Sequence, residues 1–250
     1  TYYLSIRATD IAGNVSDIVT GDGIMIDLTA PTAGTVIDGT ESDLSYTRSD
    51  STLTGSWSGF EDNVSGITGY EIAVNGGDVY PWTGVGSVGS TTVTGLGLDH
   101  GSEYTLDIRA TDAAGNVSDV ATTDGIIVDT QPPGSTLEFS SEYYNEAGWN
   151  ESVQIQGTAA DGENESGLSI IELAIEDTSD NTYYTGSSWD GSEQWVTATG
   201  TDSWAYELST DQLSDGHGYR VRSRATDAVG NTQTEYGQDS FSYDSTEPET

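Results

Sequence analysis

Ala110-Thr111-Asp112-Ala113-Ala114-Gly115-Asn116 decides how the rest of the chain is read, because it occurs three times. The other copies are Ala8-Thr9-Asp10-Ile11-Ala12-Gly13-Asn14 and Ala225-Thr226-Asp227-Ala228-Val229-Gly230-Asn231. Each follows a segment of alternating apolar and polar residues. Seventeen residues after its first Asp comes another Asp (Asp27, Asp129, Asp244), and four beyond that a proline (Pro31, Pro133, Pro248). The copies lie 102 and 115 residues apart, the length of one small all-β domain. The chain therefore reads as part of a tandem array. Residues 1–30 are the last part of a first domain, 31–130 a second, 131–247 a third, and 248–250 the start of a further linker or domain.

The strand pattern has period two. Tyr2, Leu4, Ile6 and Ala8 alternate with Tyr3, Ser5 and Arg7, which predicts one buried and one wet face. Thr52–Trp57 and Ile67–Val74 read as the second and third strands of the middle domain. Val153, Ile155, Gly157 and then Ile171, Leu173, Ile175 read as their counterparts. Leu98 to Tyr104 and Leu213 to Tyr219 share a Leu-x-x-Gly-x-x-Tyr spacing before the penultimate strand, the signature of a tyrosine corner. No segment carries a convincing helical period. Short strands punctuated by turns predict an all-β chain of sandwiches strung like beads.

Composition narrows the function. There are 42 acidic residues against six basic ones, no cysteine and a formal net charge of −36. The charge is spread along the array, so nucleic acid and anionic membrane surfaces are poor partners, and divalent cations, or a high-salt medium that screens the self-repulsion, are the natural complement. Without cysteine there are no disulfides, thiol catalysis or thiolate metal sites. No apolar run approaches the roughly 18 residues of a membrane span, which predicts no membrane insertion in this segment.

The repeated Arg109–Ser118 stretch, its counterparts Arg7–Ser16 and Arg224–Asn231, and the two Leu-x-x-Gly-x-x-Tyr corners resemble bacterial Ig-like and fibronectin type III-like repeats. So do Val64-Ser65-Gly66-Ile67 and Glu165-Ser166-Gly167-Leu168. Such repeats build giant cell-surface proteins and adhesins, and the likeness covers nearly the whole chain. It implies an extracellular or cell-surface location and a role as stalk, spacer or adhesin, with neighbouring Ig-like domains of the same chain as partners. It also implies stiffening by calcium.

The residues support that expectation independently. In an Ig-type sandwich the loop after the second strand and the loop before the last strand lie at one end, where the chain enters. Here these loops carry Glu61, Asp62, Asp112 and Asn116, and in the next domain Asp161, Glu163, Asp227 and Asn231. Asp27 and Asp129 close the preceding strands, and Asp10, Asn14 and Asp244 hold the equivalent places at the chain's two ends. Three segments thus bring oxygen ligands to each junction, as calcium requires. The same Asp-x-x-Gly-Asn sequence also reads as a tight turn in which Asp accepts from its own backbone and Gly takes positive φ, with no ion.

No catalytic constellation stands out, and the expectation is a non-enzyme. His100 and His217 read as solvated turn residues. Trp149, Trp189, Trp195, Tyr143, Tyr144, Tyr183 and Tyr184 read either as core or as a sugar-stacking surface for cell-surface glycans. A further alternative is a subunit of a self-assembling filament or surface layer, with like chains as partners.

Overall fold

The computed structural model describes residues 1–150 and 155–248. Val153, expected in a strand, lies outside the described residues. The chain divides into two compact units. One comprises Thr1–Leu44, Thr52–Leu96 and Tyr104–Ile126, the other Ser45–Ser51, Gly97–Glu103 and Ile127–Thr250.

In the first unit, Thr35–Asp38, Thr52–Ser58 and Ser90–Thr94 form an antiparallel sheet with Thr52–Ser58 at its centre. A second antiparallel sheet runs Ala121–Thr122, Leu106–Asp112, Ile67–Val74, Tyr80–Gly86. Leu53, Trp57 and Val93 from the first sheet, and Ile72, Val74, Leu106, Ile108 and Ala110 from the second, are buried. This is the two-layer sandwich that period-two alternation demands. Gly55 lets the layers close: a Cβ there would sit 2.7 Å from Leu106 Cδ1.

Residues 1–30, in the same unit, behave differently from the expectation. Ser5–Ile6 pairs with Val19–Thr20, and Tyr2 bridges Ile24. The alternation is real, yet Leu4 is 77% and Ile6 62% exposed. Two strands make one layer, and one layer cannot bury a face.

In the second unit, Gly134–Leu137, Ile155–Ala160 and Ser203–Tyr206 form one antiparallel sheet. The facing sheet is built on the long strands Leu168–Asp177, His217–Asp227 and Gly237–Tyr243. Thr182–Tyr184 and Trp189–Asp190 extend one edge, and Tyr143–Tyr144 pairs parallel at the other. Tyr46–Thr47 pairs parallel with Ile127–Val128 in the same manner.

The second unit departs from the sequence expectation by a short helix, Glu146–Asn150. Five residues are too few to leave a readable period, and an isolated helix that short is not stable by propensity. Packing holds it. Trp149 is fully buried, stacks on Phe241 with ring centroids 4.5 Å apart, and donates its Nε1–H to the Leu208 carbonyl at 2.7 Å. The aromatic residues of this unit are mostly core. Tyr144 and Tyr184 are buried and Trp189 half-buried, while Tyr143 is exposed. Trp195 lies under Arg224, whose guanidinium carbon is 4.0 Å from the ring centroid.

The second tyrosine corner is explicit: Tyr219 is buried and its hydroxyl accepts from the Ser214 amide at 2.7 Å.

Candidate metal centres

All three copies of the Asp-x-x-Gly-Asn stretch fold into one turn. Asp10, Asp112 and Asp227 each donate their amide to the carbonyl of the Asn four residues on, at 2.9, 3.1 and 3.1 Å. The glycines take φ of +90°, +90° and +91°, a region that costs a side-chain-bearing residue about 1–2 kcal/mol. Next to Gly115 a Cβ would meet nothing within 4 Å, so conformation, not space, selects glycine there. In the second and third copies a register shift in the strand pairing falls at the Asp itself, opposite Ile67 and Leu168. A bulge at a strand end re-aims the side chain it carries.

At Asp112, Oδ1 accepts from the amides of Ala114 and Asn116, and Oδ2 from Asn116 Nδ2 at 2.8 Å. Burial opposes ionisation of this carboxyl, but the hydrogen bonds from Asn116 and Ala114 prevail and hold it below the usual range. The turn reading of the sequence is therefore right as far as it goes. The Asn116 amide also donates to the carbonyls of Asp27 and Thr29, at 3.4 and 3.2 Å, and so ties the turn to the segment before Pro31.

Carboxylate oxygens of Asp27, Asp62 and Asp112 lie within 4.8 Å of one another. Asp62 Oδ2 is held by the amides of Val64, Ser65 and Gly66, and Asp27 Oδ1 by Thr29. Asp27 Oδ2 and Ser65 Oγ are buried and make no well-formed hydrogen bond, although Ser65 lies close enough to the Asp27 carboxylate to be the main cause of its lowered pKa.

The second unit repeats this arrangement with Asp129, Asp161 and Asp227, again within 4.8 Å. Asp227 Oδ1 accepts from the amides of Val229, Gly230 and Asn231, and Asn231 Nδ2 donates to Asp227 Oδ2 and to the Asp129 carbonyl. Asp129 Oδ2 accepts from Ser166 and Asp161 Oδ2 from Gly167, both at 2.8 Å. Asp161 Oδ1 and Ser166 Oγ are the partnerless atoms here. Desolvation, the adjoining Glu165 carboxyl and the charge on Asp129 push the Asp161 carboxyl up to about 7.

Some residues expected as ligands stand apart. Glu61 and Glu163 are exposed, and neither joins these clusters. Asp10 and Asn14 pair with each other, and Asp244 accepts from the Thr246 amide. Glu165, not among the expected ligands, groups instead with His100 and Asp129. Its Oε2 accepts from Gly162 and its Oε1 lies 3.1 Å from His100 Nε2.

Neither histidine is a free turn residue. His100 Nδ1 accepts from the Thr130 amide at 3.2 Å, which leaves Nε2–H to donate to Glu165. His217 Nδ1 lies 2.8 Å from Asp177 Oδ2, and that carboxylate raises the imidazole pKa.

The donor set at both Asp triads is oxygen only, with orphaned buried oxygens at each. That chemistry fits a hard divalent cation of calcium size, which takes six to eight oxygens in irregular geometry.

No protein-family model matches the chain. It is 32% identical to Exoglucanase B of Cellulomonas fimi over 173 residues, 63% of this chain and 14% of that protein. To Chitinase A1 of Niallia circulans it is 30% identical over 218 residues, 86% of this chain and 26% of that protein. The chain thus spans only a minor part of either relative. Among solved structures, a Ca2+-stabilized adhesin of an Antarctic bacterium that binds ice is similar at 20% identity and a TM-score of 0.42, over 98% of this chain and 57% of that one. Clostridium thermocellum CbhA fibronectin(III)-like modules are similar at 15% identity and a TM-score of 0.42, over 84% and 93%.

Proposed function

We infer that this chain is a non-catalytic segment of an extracellular or cell-surface protein, built of tandem Ig-like, fibronectin III-like repeats with boundaries near residues 31, 131 and 248. Calcium at the junctions stiffens it as a stalk or spacer. One observation carries the reading. At two successive linkers the same three positions (the Asp closing a strand, an Asp of the loop after the second strand, and the Asp of the repeated turn) bring carboxylates within 4.8 Å.

Asp27, Asp62 and Asp112 would hold one ion, and Asp129, Asp161 and Asp227 the other, with Ser65 and Ser166 hydroxyls beside them. The cation supplies the positive charge that relieves carboxylate repulsion. The chain's own residues do the positioning. Backbone amides fix Asp62, Asp112 and Asp227, and Asn116 and Asn231 clamp the segment entering from the previous repeat. An ion bound across a linker restrains its torsions, which is what stiffening means at this scale.

Calorimetric titration with calcium and small-angle scattering with and without chelator test this. Expected are binding that Asp112→Asn and Asp227→Asn each reduce by one ion, and a maximum dimension that becomes better defined in calcium. Unchanged melting and scattering after metal removal would defeat it. A sugar-binding surface is the second reading. The exposed Tyr143 favours it, and the burial of Trp149, Tyr144 and Tyr184 weighs against it.

A further inference from the structure

Asp38 ends the strand Thr35–Asp38 and is completely buried, 0% exposed. Neither of its carboxylate oxygens makes a well-formed hydrogen bond, although the Thr123 side chain and the Gly125 backbone lie close enough to favour its ionised form. Other buried carboxylates of this unit are provided for. Asp107, for example, accepts from the Gly76 amide at 2.7 Å and from Thr122 Oγ1 at 2.6 Å. An unpaired buried charge is among the most costly features a fold can carry, so a carboxylate placed this way calls for a positive partner.

Its surroundings supply more negative charge instead. Asp43 and Asp124 bring carboxylate oxygens within 4.8 Å of Asp38 and of each other. Both are exposed, so the group opens to solvent on their side. The loop is arranged to hold them there. Asp43 Oδ1 accepts from the Asp38 amide at 3.0 Å, the Leu44 amide returns to the Asp38 carbonyl at 2.9 Å, and Gly39 turns between them at φ +106°. A Cβ on Gly39 would lie 2.6 Å from the Ser42 carbonyl, so the loop closes tightly over the strand end. Asp124 lies in the loop between Ala121–Thr122 and Ile126–Val128.

The third repeat shows that the fold does not need an acid here. Asp38 pairs with Gly55 in the register, and Leu137 holds the matching place opposite Gly157. Leu137 is a buried apolar residue, 8% exposed. A leucine satisfies the core at that position, so packing alone does not require the carboxylate of Asp38.

We propose that Asp38, Asp43 and Asp124 form a cation site within the second repeat, distinct from the two junction triads. The occupant is a hard divalent cation, calcium by the all-oxygen donor set. The ion ties the end of the first strand to the loop before the last one, so it fastens the edge of one sandwich and spans no linker.

The test uses the full chain with calcium chloride as the only probe and counts bound ions by equilibrium dialysis. Asp38→Asn is expected to bind one ion fewer than the parent, and so is Asp43→Asn combined with Asp124→Asn, which leaves the core untouched. Asp112→Asn with Asp227→Asn should not abolish this ion, so failure here and failure of the junction reading are separable. A second readout is the sign of a melting shift: Asp38→Asn should melt at or above the parent in chelator and below it in saturating calcium. Equal ion counts for the parent, a folded Asp38→Asn and the double variant would overturn the proposal. So would a melting shift of the same sign in both conditions.

Discussion

The second and third repeats share a plan and solve its weak points differently. Both carry the strand-ending bulge, the Asp-x-x-Gly-Asn turn and the Asp triad. They part at the start of the sandwich. The second repeat puts Asp38 where the third puts Leu137, and the third inserts a helix whose Trp149 stacks on Phe241. One has an acid-lined strand end and the other a large aromatic core. The lesson is that the shared features are the turn and the acids gathered beside each linker, while each sandwich stabilises its own interior differently.

The largest way to break this comparison is Trp149→Ala. It should lower the third repeat's stability by about 3–5 kcal/mol, the usual range for deleting a buried tryptophan. The calorimetric transition of the second repeat should stay where it is. The next test exchanges the differing residues. Leu137→Asp buries a carboxylate without Asp43 and Asp124 counterparts and should cost ~2–4 kcal/mol at neutral pH. Asp38→Leu in chelator should be neutral or stabilising, as measured by chemical denaturation.

The shared turn sharpens the comparison at smaller scale. Asp112→Ala and Asp227→Ala should each cost about 1–3 kcal/mol even in chelator, because backbone amides lose their acceptor. Asp227 should be the costlier, since its Oδ1 accepts from three amides and that of Asp112 from two. Smallest is the pH response. Asp177 raises the His217 pKa above its ordinary 6.5. The pair's contribution is therefore complete below pH 6.5 and is lost as pH rises through the folded-state value. His217→Gln should flatten that dependence in the third repeat. The second repeat, whose matching turn carries His100 on a different carboxylate, should not change.

Much of this was legible without coordinates. The fixed intervals from Asp112 to Asp129 and from Asp227 to Asp244 gave the repeat length, and Gly-Asn after a strand gave the turn, because positive φ restricts the residue types that fit. The tyrosine spacing at Leu213–Tyr219 located a corner that Tyr219 indeed makes with Ser214. The acids that cluster, Asp27, Asp62 and Asp112 and then Asp129, Asp161 and Asp227, could be listed from sequence because they recur at equivalent places.

Other features had no such signal. Glu61 and Glu163 looked as suitable as Asp62 and Asp161, since sequence does not tell which of two neighbouring acids turns inward. Ile37-Asp38-Gly39 reads as an ordinary strand end leading into a turn. Periodicity, charge and turn chemistry are local properties, and the chain alone settled everything that depends on them: all-β repeats, acidic loops, glycine turns. Burial and the meeting of distant carboxylates depend on which strands lie opposite one another. Only the folded chain decided that Asp38 is enclosed while Asp43 and Asp124 come to face it, because a charge's cost is set by what surrounds it in space.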